Sequence, residues 1–105
     1  MKFSGMLKDD TLKGKVILIT GGGTGLGKSM GAYFMELGAN LIITSRKQDI
    51  LNKTAKEFSK YSGEVLPITG DVRDHKDVNN VIDKSLEIFG KIDCLLNNAD
   101  RKSVV

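Results

Sequence analysis

Val16 to Thr20, VILIT, is a continuous apolar run. Such a run reads as a strand buried on both faces, as in a parallel sheet. Glycines follow, then a helical pattern with Leu26, Met30, Tyr33, Phe34 and Leu37 on one face. Gly38 is placed to close that helix as a left-handed cap. Asn40 to Ser45, NLIITS, reads as a second strand, and the helix after it turns Leu51, Ala55, Phe58 and Tyr61 inward until Gly63 ends it. Glu64 to Thr69, EVLPIT, reads as a third strand. It holds the only proline, Pro67, which belongs on an edge strand because it cannot donate to the ladder. Asp74 is a natural N-cap for a third helix carrying Val78, Ile82, Leu86 and Phe89, which Gly90 closes. The run KIDCLLN, Lys91 to Asn97, reads as a fourth strand.

The order is βαβαβαβ, which predicts an α/β fold with a parallel sheet and helices on both faces. A doubly wound sheet in the order 3-2-1-4 puts the Pro67 strand at an edge. Ligands of such sheets bind beyond the carboxyl ends of the strands. The informative residues fall there: Thr20–Gly27, Ser45–Lys47, Gly70–Val72 and Asn97–Ala99.

Composition narrows the function without deciding it. The 105 residues suit one small domain, and 16 basic against 13 acidic side chains give a net charge of only +3. The lysines are scattered, and two Tyr, four Phe and no Trp offer little for base stacking, so no nucleic-acid partner is expected. No segment approaches the roughly 18 apolar residues of a membrane span, and no membrane partner is expected. The N-terminal stretch MKFSGMLKDDTLKGK lacks an apolar core, and the single Cys94 suits a reducing compartment, so a cytoplasmic location is expected. Cys94 is expected in the core, and the lone His75 on the surface without metal-ligand companions.

The loop LITGGGTGLGKSM fits two phosphate-binding signatures. Gly22, Gly27, Lys28 and Ser29 match the G-x-x-x-x-G-K-S loop of ATP- and GTP-binding proteins. Thr20, Gly21, Gly25 and Gly27 match a dinucleotide-binding turn. Both rely on backbone N–H groups and a helix dipole aimed at phosphate oxygens. The other strand ends discriminate. A nucleotide hydrolase needs an acidic residue after a hydrophobic strand to hold magnesium, and Asp71 is a poor candidate. That reading also leaves Ser45-Arg46 and the NNA run without a task.

The motifs TGGGTGLG at Thr20–Gly27, DV at Asp71–Val72 and NNA at Asn97–Ala99, in this order and spacing, resemble the N-terminal part of a short-chain dehydrogenase/reductase. The resemblance implies a truncated Rossmann fold and assigns roles residue by residue. Gly21, Gly25 and Gly27 accommodate the pyrophosphate, Gly23 is a further cofactor-binding position, and Thr24 and Leu26 line the turn. Asp71 accepts from the adenine amino group, with Val72 beside the ring. Asn98 and Ala99 run past the nicotinamide ribose, and Asn97 ties the central strands together. Where NAD-dependent proteins place a carboxylate after the second strand, this chain has Ser45, Arg46 and Lys47. Arg46 can pair with a 2′-phosphate in a forked geometry, Ser45 can add a hydrogen bond and Lys47 further charge. Cations at a helix N-terminus oppose its dipole, which favours a functional reason for them. The expected cofactor is NADPH.

The stretches GGGTGLGKSM, SRKQDIL and DVRD are similar to the 2,4-dienoyl-CoA reductase branch, which reduces conjugated dienoyl-CoA thioesters. An acyl-CoA-type substrate and a homotetramer are thereby implied for a full-length parent. 3-Oxoacyl reductases and sugar or alcohol dehydrogenases remain open, as do a nonenzymatic dinucleotide sensor on the same fold and a P-loop ATP- or GTP-binding protein. The family's chemistry uses a Tyr-x-x-x-Lys pair, but Tyr33 is followed four residues on by Leu37, and Tyr61 by Val65. The 105 residues are therefore expected to bind cofactor without turnover, as a partial dinucleotide-binding domain over residues 1–99. An exposed fourth-strand edge bearing Leu95 and Leu96 is expected to make it poorly stable. The family continues NNAG, whereas this chain reads NNADRKSVV. The DNA GATCGGAAGAGCGTCGTG encodes Asp100 to Val105 and coincides with the start of a common sequencing adapter, so residues 100–105 are expected to be a non-native tail.

Overall fold

The computed structural model describes residues 11–21 and 25–97. Four strands, β1 (Val16–Thr20), β2 (Asn40–Ser45), β3 (Val65–Thr69) and β4 (Cys94–Asn97), alternate with three helices, α1 (Gly25–Glu36), α2 (Gln48–Phe58) and α3 (His75–Phe89). The strands form one parallel sheet in the order β3-β2-β1-β4, as the βαβ alternation requires. β3 is an edge, and Pro67 sits there opposite Ile43.

Every residue of β1 is buried, because helices cover both faces of the centre of the sheet. Ile17, Ile19, Leu41 and Ile43 face α1 and α2, in a core completed by Met35, Leu51 and Phe58. Val16, Leu18, Ile42 and Ile68 face the other way, towards Val81 of α3. Alternate residues of one strand thus feed two cores, which is why the strands read as unbroken apolar runs rather than alternating ones.

α1 uses the face that its large apolar residues mark only in part: Leu37, just past its end, is buried, and Tyr33 is half-buried. Its buried residues are Gly27, Gly31 and Met35. Met30 and Phe34 flank them half-buried, and Leu26 is 57% exposed. The reason is close approach: a Cβ on Gly31 would stand 2.9 Å from Leu41 Cδ2 and 3.2 Å from Phe58 Cε2. The glycines let the helix axis come down onto the sheet, and the larger side chains pack along its flanks.

Other local expectations also need correcting. α2 stops at Phe58 with Ser59 as its C-cap, and it buries Thr54 where Ala55 was expected. Gly63 instead lets the chain pass over Ala39. α3 buries Val81 and Ser85, while Leu86 is 44% exposed. Cys94 is exposed rather than in the core, since β4 is the other edge of the described sheet. Leu95 is 58% exposed, whereas Leu96 packs half-buried against the α1–α2 core. β3 and β4 begin at Val65 and Cys94, later than the apolar runs. As expected, Asp74 caps α3 by accepting from Lys76 N at 2.9 Å, and Gly38 and Gly90 adopt left-handed conformations. His75 is exposed.

Candidate functional site

The parallel register brings the carboxyl ends of all four strands to one edge. Thr20 lies between Thr44 and Asn97, and Ser45 lies opposite Thr69. Backbone bonds continue the alignment past the strands: Gly21 N donates to Thr44 O at 2.7 Å, and Gly70 N donates to Ser45 O at 2.9 Å. The four motif segments therefore leave the sheet side by side.

Gly21 has φ +71° and Gly25, at the start of α1, φ +59°, conformations that favour glycine. Among the described residues, nothing lies within 4 Å of a Cβ on Gly25. Gly27 is buried, and Leu26 is exposed at the first turn of α1. The first turn of α1 has no acidic residue, which suits that end to an anion. Gly23, Thr24, Asn98 and Ala99 lie outside the described residues.

Lys28 does not face the turn. It forms an ion pair with Glu57 of α2, which lowers the pKa of that carboxyl. A nucleotide-hydrolase loop would aim this lysine at phosphate, so the pairing favours the dinucleotide turn.

At the end of β2, Ser45 Oγ accepts from Lys47 N at 3.3 Å. Lys47 is the N-cap residue of α2 but makes no side-chain capping bond. The Thr69 hydroxyl donates to Gln48 Oε1, which fastens the first turn of α2 to the end of β3. Ser45 is half-buried, Arg46 and Lys47 are exposed, and no carboxylate stands at these positions.

The turn after β3 is tightly organised. Asp71 N donates to Asp77 Oδ2 at 2.8 Å, and Asp74 N donates to Asp71 O at 2.9 Å. Asp71 Oδ1 accepts from Arg73 N at 2.9 Å and Arg73 Nε at 3.1 Å, while Oδ2 accepts from Arg73 Nη2 at 3.1 Å. The Arg73 guanidinium, then its backbone N–H, holds the Asp71 carboxyl below the usual carboxylate range, and the charge of Arg46 adds to the effect. Asp71 is thus an ionised acceptor committed to a guanidinium, a poor ligand for magnesium. Val72 follows it half-buried.

At the end of β4, Asn97 Oδ1 accepts from the Thr20 hydroxyl at 2.9 Å. This is the strand tie expected of Asn97. A cavity of about 200 Å³ at these ends is lined by the polar Thr20, Thr44, Asp71 and Asn97 and by the apolar Leu18, Val81, Ile82 and Leu95, among others. Thr44 is 2% exposed, and among the described residues its hydroxyl has no hydrogen-bond partner.

Arg73, Asp77 and Thr44 were not anticipated. Asp77 carried a signal, a carboxylate three residues after an N-cap, although it reaches back to Asp71 rather than to the cap itself. Thr44 was a polar residue inside an apolar strand. Nothing in the sequence marked Arg73 as the partner of Asp71.

The chain belongs to the short chain dehydrogenase family, whose model matches residues 15–104. It is 44% identical over 98 residues to a probable 2,4-dienoyl-CoA reductase 3 of Caenorhabditis elegans, covering 91% of this chain and 32% of that protein. It thus spans about a third of the length of that curated relative. Among solved structures, L-sorbose reductase from Gluconobacter frateurii, complexed with NADPH and L-sorbose, superposes with a TM-score of 0.85 at 32% identity, covering 90% of this chain and 36% of that one. A 3-ketoacyl-(acyl-carrier-protein) reductase from Brucella melitensis, complexed with NADH, superposes with a TM-score of 0.72 at 34% identity, covering 79% and 33%.

Proposed function

We propose that this chain is the NADPH-binding part of an oxidoreductase similar to the 2,4-dienoyl-CoA reductases. The cofactor assignment rests on one observation: the end of β2 carries Ser45, Arg46 and Lys47, with no carboxylate to repel a 2′-phosphate. Arg46 would hold that phosphate, with help from Ser45 and Lys47. The pyrophosphate would lie over Gly21, Gly23, Gly25 and Gly27 at the α1 N-terminus, with Thr24 and Leu26 along the turn. Asp71 would accept from the adenine amino group beside Val72, and Asn98 and Ala99 would pass the nicotinamide ribose.

NADPH supplies a hydride when bound. The residues named here bind and orient it, and no Tyr-x-x-x-Lys pair for proton transfer occurs in the 105 residues. We therefore read residues 1–99 as a cofactor-binding unit without turnover, and assign no role to residues 100–105. In a polypeptide of the relatives' length, the substrate would be an enoyl- or dienoyl-CoA thioester and the assembly a homotetramer. No helix among the described residues is long and apolar enough to cross a membrane. The same reading puts the protein in the cytoplasm, where a lone thiol stays reduced.

The test is Arg46→Asp. Loss of a charge-assisted phosphate contact should weaken NADPH binding by roughly 10-fold or more, with NADH affected far less. An unchanged NADPH-to-NADH preference would refute the role given to Arg46.

A further inference from the structure

We infer that Arg73 is the positioning residue that makes Asp71 selective for a 6-aminopurine, a role that rests on the cofactor-binding reading above. A carboxylate offers about four lone-pair sites. Arg73 fills three on Asp71: two on Oδ1, through its backbone N–H at 2.9 Å and Nε at 3.1 Å, and one on Oδ2, through Nη2 at 3.1 Å. Among the described residues, one acceptor site on Oδ2 is left for a ligand.

The fork sets two properties of that site. It holds the carboxylate plane through two parallel N–H···O bonds, as a lysine could not. It keeps the group ionised, so that Oδ2 accepts and does not donate. It also joins a turn whose backbone is pinned independently, by Asp71 N on Asp77 Oδ2 at 2.8 Å. The carboxylate direction is therefore set by Arg73, and the position of its Cα by Asp77.

Arg73 immediately precedes the N-cap Asp74, where a cation gains nothing from the helix dipole. Its side chain is 62% exposed, so the pair with Asp71 is a surface pair with little to offer stability. What it does supply is direction. An ionised acceptor welcomes the exocyclic amino group of adenine and repels the 6-oxo group of hypoxanthine. A site built around one hydrogen bond rejects the analogue that lacks it, because a polar group is then left unpaired.

The experiment is calorimetric titration of the full chain with NADPH and with deaminated NADPH, in which hypoxanthine replaces adenine. The wild-type chain is expected to prefer NADPH by roughly 10-fold or more, the value of a hydrogen bond to a charged group. Arg73→Ala and Arg73→Lys, checked for folding by circular dichroism, should both bring that ratio below about 3-fold, since neither restores the fork. A merely structural role would weaken both ligands equally and leave the ratio alone. If wild type discriminates and Arg73→Ala still does so to the same extent, or if Arg73→Lys restores the full ratio, the role given to the Arg73 fork is overturned while the cofactor reading stands. If wild type binds neither dinucleotide, both are overturned.

Discussion

The hydroxyl of Thr20, at the end of β1, donates to Oδ1 of Asn97, at the end of β4, across 2.9 Å. The two residues are register partners, and Gly21 opens the dinucleotide turn immediately after Thr20. The bond therefore ties the start of the turn to the strand that leads to Asn98 and Ala99. Thr20→Val keeps the shape and removes the donor. It should cost about 1 kcal/mol, or a few degrees in melting temperature for a domain of this size. Thermal denaturation followed by circular dichroism measures it, and an unchanged midpoint would mean that the bond does not hold the strand ends.

Gly63 passes so close to the chain before β2 that a Cβ there would stand 2.1 Å from Ala39 O and 2.9 Å from Ala39 C. Backbone cannot yield as a side-chain tip can. Gly63→Ala is expected to destabilise the fold by roughly 1–3 kcal/mol, the range for forcing an atom into a packed region. Urea denaturation gives the value.

The extent to which the fold can be read in advance differs between its parts. The strands stand out because parallel strands covered on both faces must be apolar at consecutive positions, as in VILIT and NLIITS. The face of α1 does so only in part, because two of the three residues it buries are Gly27 and Gly31. Hydrophobic periodicity counts side chains, and here the absence of a side chain does the packing. In the site, the glycine turn, Arg46 and Asp71 follow from motif and strand-end position. The Arg73 fork and the reach of Asp77 depend on how one short turn curls, and no periodicity encodes that.

Asp93 links stability to pH. Its Oδ2 accepts from Val16 N at 2.8 Å and pairs with Lys91 Nζ at 3.1 Å. The Val16 bond, then the Lys91 contact, lowers its pKa in the folded chain. A carboxyl whose pKa is depressed by folding stabilises above its unfolded value, near 4 for aspartate, and loses that contribution as pH falls through the folded value. Asp93→Asn should therefore lower the melting temperature at pH 6, and the difference should shrink as the pH approaches 3. A difference independent of pH would show that ionisation of Asp93 is irrelevant.

Lys28 separates the two phosphate-loop readings. Its ammonium pairs with Glu57 at the surface of α1 and α2. Lys28→Met should leave NADPH affinity within about twofold, because the ammonium is engaged with Glu57 and an exposed ion pair contributes little. A nucleotide-hydrolase loop would instead lose most of its phosphate affinity with that lysine. Parallel titrations of wild type and variant decide between them.

The central claim is that the strand ends hold NADPH, with Arg46 selecting its 2′-phosphate. The most direct measurement is equilibrium binding of NADPH, NADH and magnesium-ATP to the wild-type chain, read by nicotinamide fluorescence and calorimetry. NADPH is expected to bind tighter than NADH by roughly 10-fold or more, the value of one charge-assisted contact, with no magnesium-dependent binding of ATP. Equal affinity for NADPH and NADH, or magnesium-dependent ATP binding without NADPH binding, would contradict it.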